Sequence, residues 1–312
     1  MDGIVIINKP KHQTSHDIVR KAKKILNEKV GHTGTLDPNA TGVLPLLIGK
    51  GTELSKYLIN HDKTYEAILQ LGEKRDTGDV EGKIIEQKNV TEKSLNTENI
   101  NSVFKTLIGK QEQIPPIYSA LKVNGKKLYE YARNGENVKI EPRQIEIYSL
   151  ELLNVDNINK TIHFKVECSK GTYIRTLCND IGDRLGCGAC MKELTRTSVG
   201  CFNTDNALTL GSVQAKVLLG DIADNIIPID AIFNKYRAIH GCERADAALH
   251  NGNMIPVAEE YIAVEGEAAA HDDESFRMYD SCGIFVGIYR HAEGRLVPVK
   301  MFYDAGEAAG DN

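Results

Sequence analysis

Few side chains in this sequence have both the chemistry and the setting to attack a substrate, and Asp37, in the run GHTGTLDPNATG, is foremost among them. A carboxylate with an ordinary acidity is already ionised at neutral pH and can act as a nucleophile without tuning. Pro38 biases Asp37 towards extended backbone, which presents its side chain from a loop. Gly31, Gly34 and Gly42 permit tight turns and close approach by a ligand. The bland alternative is an Asp-Pro turn residue, and the residues alone leave both readings open. A glycosidase nucleophile would need a second acid nearby, for which Asp76 and Asp79 are the available pair. Without a metal signature beside them, those two acids read as a structured turn.

Other chemistries find no purchase. The sequence lacks a G-x-S-x-G elbow, an H-E-x-x-H helix and a G-x-G-x-x-G fingerprint. Gly42 to Gly51 is spaced wrongly for a phosphate-binding loop, and Gly51 stands where a magnesium-holding hydroxyl is needed. The 7 cysteines are odd in number and scattered, which argues against a disulfide framework. Cys187 and Cys190 form a lone C-x-x-C without a second pair, so they read as structural thiols, and neither metal nor cofactor is expected.

Positioning Asp37 requires a scaffold, and the patterning supplies one. GIVIIN, from Gly3 to Asn8, reads as a buried strand ended by Lys9-Pro10. Thr14 and Ser15 are N-cap candidates for a helix to about Val30, with Ile18, Val19, Ala22, Ile25 and Leu26 on one face. After the Asp37 loop come an apolar run and a probable helix. Tyr65 to Leu71, Gln144 to Val155 and Lys160 to Cys168 read as strands, and 91–110 and 172–185 as helices. Residues 111–142 form an excursion with a Pro-Pro break, the basic turn KVNGKK and a tyrosine-rich helix. From Ile232 onward short strands alternate with Gly and Asn turns, the texture of a small β-barrel. The expected division is a first domain over 1–230, a β domain over 231–304 and a disordered tail over 305–312.

Charge sharpens the division. The 312 residues carry a net charge of -5. Residues 231–312 hold 7 Lys and Arg against 14 Asp and Glu, which leaves the first 230 slightly basic. Lys9 to Thr33 contains seven basic residues and two acids, a strip that could track phosphates or simply face solvent. No run approaches the roughly 20 apolar residues of a membrane helix, and the N-terminus is a poor signal peptide, so a cytoplasmic protein is expected.

GHTGTLDPNATGVLP resembles the catalytic motif of the TruB family of pseudouridine synthases. Four more segments follow in that family's order: GIVIINKPKHQTSHDIV, KTYEAILQLGEKRDTGDVEG, PPIYSALKVNGKKLYEYAR, and CSKGTYIRTL followed by LTRTSVGCF. Together they span residues 3 to 202. The resemblance implies an α+β pseudouridine synthase fold, a mixed and largely antiparallel sheet flanked by helices and loops, with a PUA-like β-barrel appended. It implies cofactor-free isomerisation of a uridine in the T arm of tRNA, at position 55, by a protein with no obligate protein partner, a monomer by default. Asp37 would be the nucleophile and Arg175 its partner, while Tyr65 would stack on the flipped base and take part in proton removal. His32 would enter the T arm and fill the space the base vacates. Tyr173 and Leu194 would line the pocket, and Lys9 would support it. Lys122, Lys126, Lys127 and Arg133 of the excursion would contact phosphates. Competing expectations are a synthase acting on another RNA and a tRNA-folding chaperone whose catalysis is incidental.

Overall fold

The computed structural model describes residues 1–58, 61–258, 260–264 and 271–303. The expected tail over 305–312 and the larger part of the acidic stretch EGEAAAHDDE lie outside the described residues. The chain divides into two compact units. One comprises Met1 and Val5–Asn225, and the other comprises Asp2–Ile4 with the chain from Ile226 onward.

In chain order the first unit contains β1 (Gly3–Lys9), α1 (Ser15–Leu26), β2 (Val30–His32), β3 (Thr41–Ile48), α2 (Ser55–Leu58) and β4 (Lys63–Leu71). The β5–β6 pair (Glu73–Arg75 and Ile84–Gln87) and the helices α3 (Glu92–Leu95) and α4 (Thr97–Lys105) come next. The excursion holds β7 (Gly109–Gln113), β8 (Lys122–Val123), β9 (Lys126–Lys127) and α5 (Leu128–Asn134). The unit continues through β10 (Arg143–Asp156), β11 (Thr161–Cys168), α6 (Ile174–Arg184), β12 (Ala189–Val199), β13 (Phe202–Asn203) and α7 (Leu210–Leu219).

Nine of these strands form one sheet in the order β1-β3-β12-β4-β11-β10-β7, with β2 on β3 and β13 on β12. β3 and β12 run parallel, whereas β12–β4, β4–β11, β11–β10 and β10–β7 are antiparallel. This is the mixed, largely antiparallel sheet that the sequence implied. β4 alternates strictly, burying Lys63, Tyr65, Ala67, Leu69 and Leu71 on one face, as a half-buried strand must. That alternation sends Tyr65 into the same layer as the core. Phe104 of α4 meets Phe164 of β11 edge to face at 5.8 Å, fixing a helix on the sheet.

Three expectations about elements need correction. α1 stops at Leu26, because Asn27 turns left-handed with φ 53° and frees the chain to enter β2. The helix expected over 91–110 is two helices and a strand. Asn96 adopts extended backbone between α3 and α4 and caps α4 by accepting from the Asn99 amide at 3.0 Å. Residues 189–199, to which the pattern assigned no strand, form β12 at the heart of the sheet. Its buried face is interrupted by register shifts at Met191/Glu193 and Arg196/Ser198, which erase the alternation that marks a strand.

The second unit carries β14 (Arg237–Gly241), α8 (Glu243–His250), β15 (Ile255–Pro256), β16 (Ile262–Val264), β17 (Ser275–Tyr279), β18 (Phe285–Ala292) and β19 (Arg295–Met301). These strands make one sheet, β15-β19-β18-β17-β14-β16, curled around Ile239, Leu249, Phe276, Met278, Val286, Tyr289 and Leu296. This is the PUA-like β module.

Gly42 is where β3 and β12 come closest. Its φ is +101°, and a Cβ there would lie 2.2 Å from the Arg196 carbonyl oxygen. Neither the backbone angle nor the neighbouring carbonyl can give way cheaply. Gly42→Ala should cost on the order of 3 kcal/mol of stability, read as a lowered unfolding midpoint for the first unit. A wild-type midpoint would contradict this packing.

Candidate active site

The Asp37 loop is held on both sides of the acid by side chains from β1 and α1. Ser15, the first residue of α1, accepts from the Leu36 amide at 2.9 Å and donates to the Leu36 carbonyl at 3.2 Å. Past the acid, the Pro38 carbonyl accepts from Lys9 Nζ at 3.0 Å and from the His12 amide at 2.9 Å. Lys9 also donates to the carbonyls of Pro10 and Gln13, at 3.0 and 2.7 Å, so its three ammonium donors are all used. The residue is wholly buried. Burial, opposed by the attraction of Asp37, brings the Lys9 ammonium down to about 8.

Between those anchors the Asp37 carboxylate faces Arg175 of α6. Arg175 Nε lies 2.9 Å from Oδ2 and Nη2 donates to Oδ1 at 3.3 Å, a two-pronged pairing that fixes the rotamer of the acid. The rest of the guanidinium is spent on main-chain carbonyls, Nη1 on Thr77 at 2.9 Å and Nη2 on Tyr118 at 2.9 Å. The Arg175 side chain is 6% exposed, against 36% for Asp37. The base is therefore locked in the protein while the acid remains open to a ligand.

Thr77 belongs to the turn that Asp76 and Asp79 build. Asp76 accepts from the Lys83 amide at 2.8 Å, and Asp79 accepts from Thr77 Oγ1 at 2.7 Å and the Glu81 amide at 3.1 Å. Both acids are thus employed in shaping the carbonyl platform for Arg175, which fits the structured-turn reading. Gly78, with φ +78°, lets this turn lie against Arg175. Tyr173 caps α6 two residues ahead of Arg175, and its amide and carbonyl are both gripped by the Gln113 side chain, at 2.7 and 3.1 Å.

Tyr65 and Leu194 come from adjacent strands in the centre of the sheet. Leu194 stands opposite Ala67, and Tyr65 opposite Arg196. Burial pushes the Tyr65 phenol up, with the neighbouring Arg196 cation opposing it. His32 ends β2 and accepts from the Gly34 amide through Nδ1 at 3.3 Å. Burial and the Arg196 charge hold its imidazole below the usual range, so it is neutral at pH 7.

The excursion residues lie apart from this cluster, on the β8–β9 hairpin and α5. Lys126 is paired with Glu136 at 2.8 Å and sits 4.5 Å over the Tyr131 ring. Lys127 and Arg133 flank Tyr129, at 5.4 and 5.3 Å from its ring centre, and Lys122 is exposed. Cys168, Cys178, Cys187 and Cys190 are buried thiols, and burial pushes Cys168 and Cys190 up to about 12. Three residues of the site escaped the sequence reading: Ser15, Gln113 and Arg196. Each is recognisable only from the distant main chain it holds.

The site thus joins an open carboxylate to a buried guanidinium beside a mixed sheet, with Tyr65 in the central strand β4. Residues 22–174 match the model of the TruB family pseudouridylate synthase N-terminal domain, and residues 175–234 that of the tRNA pseudouridylate synthase B C-terminal domain. The chain belongs to the TruB family. It is 41% identical to the tRNA pseudouridine synthase B of Clostridium acetobutylicum over 96% of this chain and 99% of that one. The same enzyme of Thiobacillus denitrificans is 39% identical over 96% of each. Among solved structures, a chain of a Cbf5-Nop10-Gar1 complex superposes with a TM-score of 0.68 at 25% identity, covering 97% of this chain and 85% of that one.

Lys9→Met should remove the ammonium from the Pro10 and Gln13 carbonyls and leave Pro38 held by the His12 amide alone, letting the Asp37 loop drift and lowering the rate of isomerisation by about 10²-fold. The comparison also carries a pH signature. The folded Lys9 ionises at about 8 rather than its ordinary 10.5, so above pH 8 the unfolded chain binds the extra proton. Wild-type stability relative to Lys9→Met should therefore rise from about pH 8 to 10.5. Thermal unfolding of both across that range checks the sign.

Proposed function

We propose that the protein converts uridine 55 in the T arm of tRNA to pseudouridine, without metal or cofactor, as a cytoplasmic monomer needing no obligate protein partner. The observation that carries the chemistry is the two-pronged Asp37–Arg175 pair, its base buried and its acid open. tRNA as substrate is supported by family membership and by the activity named for relatives that match nearly the whole chain.

The target base is flipped out of the T loop at a cost of a few kcal/mol. His32, neutral and at a strand end, takes the vacated space. Tyr65 stacks on the base, while Tyr173 and Leu194 close the pocket around it. An Asp37 carboxylate oxygen then attacks ribose C1′ as the N1–C1′ bond breaks, and that bond's electron pair departs with the uracil ring. Negative charge thus moves from Asp37 to the base. The carboxylate also stabilises the oxocarbenium character at C1′, as carboxylates do in glycoside cleavage. The ring turns and C5 attacks C1′, which releases the carboxylate. The C5 proton is then lost, with Tyr65 as the acceptor in its phenolate form, and N1 takes up a proton from water, which restores the neutral ring. Lys122, Lys126, Lys127 and Arg133 contact phosphates of the stem-loop, positioning the RNA without reading its sequence.

Release of tritium from C5-labelled uridine in an unmodified T-arm hairpin tests the reading. Wild type should release it with EDTA present, and Asp37→Asn should release none while binding the hairpin with unchanged affinity. Full activity in Asp37→Asn would remove the nucleophile. Binding without release by wild type would instead point to another RNA or to a tRNA-folding chaperone.

A further inference from the structure

Arg196 has no part in the scheme above, yet it is among the most deeply buried side chains of the chain, at 2% exposure. It stands in β12 opposite Tyr65 of β4 on one side and Gly42 of β3 on the other. Its Nε donates to the Val43 carbonyl at 2.9 Å and its Nη2 to the Gly34 carbonyl at 3.2 Å. Directly opposite residues of an antiparallel pair share a face of the sheet, so the buried Arg196 and Tyr65 side chains lie in the same layer. Among the described residues no carboxylate lies within ion-pair distance of it. A buried cation left without a counter-charge is costly, and the protein could shed that cost at this position with an apolar side chain.

The charged and titratable groups that act on the Tyr65 phenol include Arg196, opposite it on β12, Cys168 at the end of the neighbouring β11, and Asp37 from its loop. The Cys168 thiol stays protonated, since burial pushes it up to about 12. Asp37 is a negative charge, held by Arg175, and disfavours a phenolate. Arg196 is therefore the facing group that favours one. It also holds the Gly34 and Val43 carbonyls on either side of Asp37, so one guanidinium sets the phenol and the catalytic loop in register.

We propose that Arg196 is a positioning residue for isomerisation, aligning the Tyr65 phenol with the Asp37 loop and serving as the buried counter-charge to the Tyr65 phenolate. In the last step that phenolate oxygen takes the proton from C5. The C5–H electron pair returns to the ring, N1, left with the negative charge, takes a proton from water, and the neutral phenol gives its proton to the resulting hydroxide. This inference rests on the isomerase reading.

The test is single-turnover isomerisation of full-length tRNA against pH by wild type, Arg196→Met, Arg196→Lys, Tyr65→Phe and the Tyr65→Phe/Arg196→Met double variant. Folding is checked by circular dichroism and tRNA affinity by filter binding. At neutral pH, Arg196→Met should lose on the order of 10² in rate, with affinity within about threefold of wild type. Its defect should shrink as pH rises, with the ascending limb moved up by about one unit, because hydroxide then does what the cation did. Arg196→Lys should recover the position of that limb, and the double variant should be no slower than Tyr65→Phe. A defect that is constant with pH, or additive with Tyr65→Phe, would mean a structural role and overturn the proposal. Should Arg196→Met not fold, Arg196→Gln carries the same comparison. Independently of turnover, the ¹³Cζ resonance of Tyr65 should move in the neutral variants and hold in Arg196→Lys. An unmoved resonance would sink the coupling, whereas an inactive wild type with a moved resonance would count against the tRNA reading alone.

Discussion

The arginine of α6 ties together four pieces of chain that are remote in sequence. Its guanidinium meets the carboxylate of Asp37, the carbonyl of Thr77 and the carbonyl of Tyr118, and its backbone belongs to a helix capped through Gln113. A planar cation with five fixed donors can satisfy such a set only if every acceptor arrives at its own angle. The Asp76–Asp79 turn, the strand end at Gln113 and the irregular chain around Tyr118 are arranged to meet it. The sheet and its helices supply the rigid frame in which that convergence is possible.

The same device recurs with Lys9 and Arg196, two more buried bases whose fixed partners are mostly main-chain carbonyls. Carbonyl acceptors stabilise a buried cation without cancelling its charge. The surroundings of Asp37 therefore keep a surplus of positive charge that an ordinary ion-pair network would have neutralised. That surplus suits a reaction in which negative charge leaves the carboxylate for the base. Burial first, and the Arg196 charge second to it, hold Lys9 and His32 towards their neutral forms.

How much of this was legible depended on whether the physics was local. Alternation in β4 and β11 exposes both strands to a period-of-two reading, and the Asp-Pro loop between glycines reads as a turn whose residues alone leave Asp37 open between a ligand-facing and a structural role. β12 could not be read so. Lys192 and Glu193 interrupt its apolar face at a register shift, and its buried Arg196 belongs to a residue type that is almost never fully buried. Its acceptors, Val43 and Gly34, lie 153 and 162 residues earlier. Ser15 and Gln113 were invisible for the same reason, since each works by gripping main chain that only the fold brings to it. The helix ends failed more simply: Asn27 and Asn96 break helices by conformations that a tally of apolar positions does not register.

In the excursion between β7 and β10, three cations are already engaged within the protein. Lys126 has Glu136 as a resident counter-ion, and Lys127 and Arg133 rest against Tyr129. A lysine in open solvent that meets a polyanion expels a condensed salt cation and gains entropy by doing so. A lysine that must first leave a carboxylate trades one anion for another, and the abandoned glutamate then repels the newcomer. On the proposed reading, the hairpin would be a poor adhesive for arbitrary polyanions and a discriminating one. It rewards the partner whose shape lets Glu136 turn aside, and selectivity follows from the cost of breaking an internal bond.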